Sequence, residues 1–348
     1  MTVNIGQLAE TIQRNCHVSD AIYAGNYSMC TFLLKMREYY RWENQIPLSG
    51  TLNKEAIGNW LVEREQSWND IEEEKFEPVM INDASYDPFD SVPINQALMP
   101  YQLVYSAGYG VFGKPHFFLG HLLERKDFGD SAVYISSCEY ARDLVAPPAM
   151  SLENNVFIRK ESVRRFVWEK IEEWQWRKQP DTPLKKVLSN FNNHVEIEST
   201  LDKLTDAQSH IMLLHERGEL AAEELLGKEW AAFVHSVAGS KAEFIARAVR
   251  DLIADMHVTL PKLLKNADNH EIHLYFADYS GIRKTLFPEL RQAYDAMIQN
   301  QDKTALEETI QYGAKKWLAE GEQLLAYYKD LSEALEKKIT AHYQDILS

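Results

Sequence analysis

The chain has 348 residues, 45% of them apolar and 26% charged, a composition that suits a globular protein with a real core and sets a prior of two domains. Its net charge of −15 is spread along the whole chain and excludes the broad basic surface that phosphate contacts require, so nucleic acid is not an expected partner. Cys16, Cys30 and Cys138 are too few for a disulfide framework, and no run approaches 18 apolar residues, so neither an oxidising compartment nor a membrane span is expected.

The opening MTVNIGQLAETIQRN lacks the apolar stretch of a secretory signal and points to a cytoplasmic protein. Val3, Ile5, Leu8 and Ile12 predict a first amphipathic helix that ends before Cys16-His17, with residues 17–26 as a connection. The densest mixture of aromatic, apolar and basic residues follows at Cys30–Glu43, CTFLLKMREYYRWE. On a helical wheel Met29, Phe32, Leu33, Met36, Tyr39 and Tyr40 share one arc of about 120°. Cys30, Leu34, Arg37 and Arg41 share a second flank, and Trp42 lies nearly opposite. Apolar groups on several sides predict a central helix. Arg41 can reach Glu38 one turn back. Arg37 has no acid three or four residues away, so it needs a carboxylate from another helix or a bound anion.

Proline ends this helix at Ile46-Pro47. Ile57, Trp60, Leu61, Arg64, Trp68 and Ile71 mark another, with an acidic outer face. From Glu77 to Pro100 the pattern collapses into an irregular connection with one short helix started by Pro93. Then the periodicity changes. Phe117–Arg125 and Ala132–Ser136 predict two antiparallel strands joined through Asp127-Phe128-Gly129-Asp130, and Val156-Phe157-Ile158 a third. Ser136 and Glu139 have the spacing of a capping box, which predicts a short helix there. Val163, Phe166, Val167, Ile171 and Trp174 give a strong helix that also carries Trp168 and Trp176. Its surroundings from Arg159 to Lys178 are locally basic, the best support in the chain for a nucleic-acid role.

Gln179-Pro180-Asp181-Thr182-Pro183 breaks that helix, and the domain boundary is placed there. Residues 1–180 are read as a mixed domain with a small antiparallel sheet within about 101–160, and 181–348 as an all-helical bundle, a mainly α fold of α+β type. In the second part Thr205 and Ser240 are N-cap candidates, the latter with Glu243 in a capping box. Phe244, Ile245, Ala248, Val249, Leu252 and Ile253 form the core face of the helix that follows, and Pro261 and Pro288 mark starts or kinks. Leu324, Tyr328, Leu331 and Leu335 predict one long last helix, a seam for bundle packing or for a homodimer.

Chemistry concentrates in three stretches. Ser106–His116 contains G-x-G-x-x-G by letter, but it does not run from strand into helix and lacks the Walker spacing. It reads as a bend between strands, or as a loop presenting Tyr109, Lys114 and His116 to a ligand. His270-Glu271-Ile272-His273 is not the zincin spacing, and Cys16, His17 and Cys30 match no zinc pattern, so no metal and no cofactor is expected. In HLYFADYSGIRKTLFP, residues 273 to 288, Arg283 and Lys284 fall in a new first helical turn, where cations oppose the helix dipole and gain only by meeting an acid or an anion.

LLKMREYYRWE (33 to 43), GVFGKPHFFLG (110 to 120), APPAM (146 to 150) and the 273 to 288 stretch together resemble an uncharacterised bacterial family of similar length, over nearly the whole chain. The resemblance implies a bacterial cytosolic protein and carries over no functional residue. Two functions are therefore weighed. The first is a binding or scaffold protein that meets an unknown protein partner through helical surfaces. The second is an enzyme acting on a small anionic metabolite, with Arg37, Arg41, Tyr109, Lys114, Arg283 and Lys284 as ligand contacts and His116 or His273 moving protons.

Overall fold

The computed structural model describes residues 3–177, 182–189, 197–265, 270–330 and 334–344. Gln179, Pro180 and Asp181 of the expected break lie outside them. The chain divides into two compact units, one of Met1–Pro148 with Phe157–Trp168, the other of Ala149–Val156 with Glu169–Ser348. As expected from the sequence, the protein is mainly helical, with its sheets in the N-terminal part and helices in the C-terminal part. No helix among the described residues is long and apolar enough to cross a membrane.

The first helix, α1 (Ile5–Tyr23), is capped by the Asn4 side chain and runs through Cys16-His17. The expected stop fails because its polar residues are bonded inward. Asn15 exchanges hydrogen bonds with the Glu77 backbone at 2.9 and 2.7 Å, and Ser19 Oγ donates to the Pro115 carbonyl at 2.5 Å. Helix α2 (Met29–Glu43) buries only Phe32, Met36 and Tyr39 of its aromatic and apolar set, while Met29, Leu33 and Leu34 are 71%, 45% and 51% exposed. It is a flank rather than the centre of this unit. Its buried stripe joins Trp68 of α3 (Lys54–Asn69) and Leu144 in a satellite cluster.

Strands β1 (Val79–Ile81) and β2 (Ala84–Tyr86) pair through Asn82 and Asp83, both at positive φ, ahead of α4 (Ser91–Leu98). The main sheet comprises β3 (Leu103–Tyr109), β4 (Pro115–Phe128), β5 (Ser131–Arg142), β6 (Ala149–Leu152) and β7 (Asn155–Arg159) in the order β3-β4-β5-β7-β6. Leu103, Tyr105 and Ala107 of β3 and Phe117 and Leu119 of β4 alternate onto one face, where Leu8, Ile12 and Cys16 of α1 and Ile94 and Leu98 of α4 complete the principal core. The β4–β5 hairpin turns at Gly129-Asp130, as the sequence indicates, but β5 continues through Ser136–Glu139 where a helix was predicted. A capping box is worth about 1 kcal/mol, and the ladder to β4 outweighs it.

Helix α5 (Lys160–Arg177) begins in the first unit and ends in the second. The second unit continues with α6 (Pro183–Ser189), α7 (Ile197–Leu226), α8 (Glu229–Ser236) and α9 (Lys241–Ala254). Ser240 caps α9 and Glu243 accepts from Gly239 N, close to the predicted box, whereas Thr205 lies inside α7 and donates to the Leu201 carbonyl. Phe244 is 40% exposed, while Ile245, Ala248, Val249, Leu252 and Ile253 are buried.

A π turn, Asp255–Thr259, follows α9, with the Leu260 N–H bonded to the Asp255 carbonyl. The reason lies just ahead: Pro261 cannot donate to a carbonyl four residues back, and the widened turn takes up the mismatch. Then come α10 (Leu260–Lys265), α11 (His270–Asp278), α12 (Gly281–Leu286), α13 (Pro288–Asn300), α14 (Thr304–Lys329) and α15 (Leu335–His342). The single long last helix expected from the sequence thus ends at Lys329 and restarts at Leu335; Leu331 lies outside the described residues.

Candidate functional site

Two buried charge clusters stand out, one in each unit. In the first unit, Asp20 of α1, Lys114 and His116 around the start of β4, and Asp143 just past β5 come together. Lys114 Nζ donates to Asp20 Oδ1, and Asp20 Oδ2 accepts from Leu144 N at 2.8 Å. His116 Nδ1 lies 3.1 Å from Asp143 Oδ2, while Asp143 Oδ1 accepts from Val145 N and Ala146 N at 2.8 and 3.0 Å.

The glycine stretch is the turn that makes this possible. His116 packs directly over Gly110, where a β-carbon would run into the ring, and Phe112 and Gly113 both take positive φ. Burial pushes the Asp20 carboxyl up, to about 6, against the pull of Lys114. Burial acts the same way on Asp143, but His116 and Lys114 more than offset it and hold that carboxyl well below the usual range. Two acids meet one lysine and one histidine, and every carboxylate oxygen is engaged. Nearby, Glu139 accepts from Arg159 at 3.1 and 2.9 Å and from Ser162 at 2.5 Å, and Arg142 lies 5.5 Å from the Tyr39 ring centre and 5.0 Å from that of Trp42.

The other residues singled out by the sequence lie outside this cluster. Arg37 Nε donates to Glu38 Oε1 at 2.7 Å, so the adjacent carboxylate is one of its partners. Arg41 reaches Glu38 at 3.3 Å and donates to the carbonyls of Pro47 and Gly50 at 2.5 and 3.0 Å. Tyr109 is 64% exposed and stacks on Phe89. His273 Nδ1 lies 2.9 Å from the Tyr294 hydroxyl, and Lys284 is exposed. Lys114 and His116 meet in the first unit; Arg283 belongs to the second.

The second cluster is built from two pairs of residues, each one helical turn apart. His215 and Glu219 share one face of α7, and Asp251 and Asp255 the facing side of α9 and its π turn. Gly218, between the first pair, lets the backbones approach: a β-carbon there would come 2.7 Å from the Ala254 carbonyl oxygen. His215 Nδ1 faces Asp255 Oδ1 at 2.8 Å, and His215 Nε2 lies 3.4 Å from Glu219 Oε1. Asp255 Oδ2 accepts from Tyr275 Oη at 2.7 Å and from Arg283 Nη1 at 2.9 Å. Arg250 Nη2 donates to Glu219 Oε1 at 2.6 Å and lies 3.6 Å from Asp251 Oδ1, with Glu223 at 3.5 Å from Nη1.

Four carboxylates, Glu216, Glu219, Asp251 and Asp255, with a fifth, Glu223, at the exposed rim, thus face two guanidiniums and one imidazole. Burial and then Glu219 push the Glu216 carboxyl up to about 8, and the same two causes raise Asp251. Burial opposes ionisation of Glu219 and Asp255 as well, but Arg250 and His215 hold the first low, and His215 and Arg283 the second. One donor atom each from His215, Glu219 and Asp251 lies within 4.8 Å of the others, a spacing a bound ion can bridge.

The N-terminal domain of a family of unknown function, DUF6866, matches residues 7–159, and its C-terminal domain matches residues 164–345. The chain belongs to that family. No curated protein and no solved structure gives a significant match. The family carries no assigned activity, so any functional reading rests on the site.

Sequence reasoning found Lys114, His116 and Arg283 but passed over His215, Glu219, Asp251 and Asp255. The signal was there as H-x-x-x-E and D-x-x-x-D, the spacing that puts two side chains on one helical face. Nothing in either string says that the two faces meet.

Proposed function

We propose that the protein is a binding protein whose ligand centre is the buried cluster of the helical unit, and that the ligand is a cation. The observation that carries this reading is the crowding of carboxylates: Glu216, Glu219, Asp251 and Asp255 on packed helices, with Glu223 at the exposed rim, against Arg250, Arg283 and His215. Like charges gathered out of water repel strongly, and a cation relieves that repulsion at its source. Four of the five cations that the sequence offers for an anionic metabolite already sit on carboxylates: Arg37 and Arg41 on Glu38, Lys114 on Asp20, Arg283 on Asp255. That pairing favours a cation over an anion as the ligand.

The test is a thermal-shift series with metal ions, polyamines and small anions on the full chain and on Asp251→Asn. A cation should raise the melting temperature of the wild type and leave the variant unmoved. Stabilisation by anions alone, or equal stabilisation of both proteins, overturns the proposal.

A further inference from the structure

We infer that His215, Glu219 and Asp251 bind a divalent first-row transition ion such as Zn2+, a reading that rests on the cation site proposed above and names its occupant. The donor set is the first argument. One imidazole nitrogen and two carboxylates make a mixed N/O site of the kind these ions favour, whereas an alkali ion or a polyamine gains nothing from an imidazole lone pair.

The orientation of His215 is the second argument. Its Nδ1 is engaged by Asp255 at 2.8 Å, which leaves Nε2, 3.4 Å from Glu219 Oε1, as the nitrogen an ion would take in exchange for its proton. A carboxylate on the far side of an imidazole is how proteins hold a metal-binding histidine in one tautomer and one pose. Asp255 is itself pinned by Tyr275 and Arg283, so the ring is held by contacts from three further elements.

The third argument is charge. Arg250 already neutralises part of the Glu219–Asp251 pair, and Ser151 Oγ lies 3.5 Å from Glu219 Oε2. Glu219, Asp251 and Asp255 nevertheless crowd around His215, and a divalent ion between the first two places positive charge where these carboxylates meet. Gly218 keeps the helices close enough for α7 and α9 to supply ligands to a single ion.

The test titrates the metal-free full chain with Co2+, read by its visible d–d absorption, and with Zn2+, read by calorimetry. One equivalent should bind. His215→Gln and Asp251→Asn should abolish stoichiometric binding, and Asp255→Asn should weaken it about 10–100-fold by freeing the ring. His210→Gln, which alters an exposed histidine paired with Glu271, should bind as wild type does. Circular dichroism of each variant shows whether it is folded. Zn K-edge absorption on the loaded wild type provides a test that needs no variant: it should show only N/O ligands, at about 2.0–2.2 Å.

Absence of stoichiometric binding, Zn–S ligation, or binding that survives Asp251→Asn and disappears with His210→Gln overturns the inference. If a polyamine such as spermidine stabilises the wild type but not Asp251→Asn while Co2+ and Zn2+ do nothing, this inference fails and the cation site stands. If no cation acts, both fall.

Discussion

The two buried clusters use the same residue types to opposite ends. In the first unit Asp20 meets Lys114 and Asp143 meets His116, with backbone N–H groups on the remaining oxygens. In the second, Glu216, Glu219 and Asp251 face one another, and Arg250 is shared among Glu219, Glu223 and Asp251, with His215 shared between Glu219 and Asp255. A balanced cluster is internally complete and holds its unit together. A cluster with surplus charge of one sign is incomplete without a counter-ion, and that difference separates a structural network from a binding site.

The sharpest way to break the comparison is to remove one charge from each side. Lys114→Met leaves Asp20, 0% exposed, without its counter-charge and should cost about 3–5 kcal/mol of stability in chemical denaturation. A loss under 1 kcal/mol would show that the first cluster is not the balanced network described. Gly218→Ala probes the second cluster through its backbone. The added methyl meets the Ala254 carbonyl, so about 1–3 kcal/mol should be lost, together with any thermal response to added cations.

Acid separates the units differently. Burial and the nearby Arg64 and Arg14 hold the His17 imidazole down at about 3, with Arg64 Nη1 only 2.8 Å from Nε2. Its unfolded value is about 6.5, so below that pH the unfolded chain binds the extra proton. The stabilisation is complete above about pH 6.5 and is lost as pH falls toward 3. Between pH 7 and 5 this amounts to about 2 kcal/mol, and His17→Gln should flatten that slope. An unchanged slope in the variant would place the acid response elsewhere.

The smallest effect is the most telling. Asp251→Asn removes one of the surplus carboxylates and should leave the metal-free protein as stable as wild type, or more stable by up to about 1 kcal/mol. Asp20→Asn, by contrast, strands Lys114, 2% exposed, and should destabilise. If both variants lose stability equally, the two clusters are of one kind.

Much of this architecture can be read along the chain. Helical and strand periods, the Gly129-Asp130 turn and the Ser240 cap each depend on residues a few positions apart, and local physics settles them. Local physics misleads where distant partners decide: α1 runs past Cys16-His17 because Asn15, Ser19 and Asp20 bond to segments far along the chain, and β5 passes through Ser136–Glu139 because β4 pairs with it. Helix α2, expected at the centre, lies on a flank for the same reason. Periodicity shows which faces of α2 are apolar, but not how many are covered, and Met29, Leu33 and Leu34 are exposed.

The candidate site lies further still from what sequence alone determines. Composition fixed the surplus of acid, and helical spacing put His215 with Glu219 and Asp251 with Asp255 on shared faces. Only the packing of α7 on α9 through Gly218 brings those faces together, because no local interaction connects residues more than 30 positions apart. Whether a charged side chain is balanced or in surplus depends on every neighbour within several ångströms, and tertiary structure alone supplies that list.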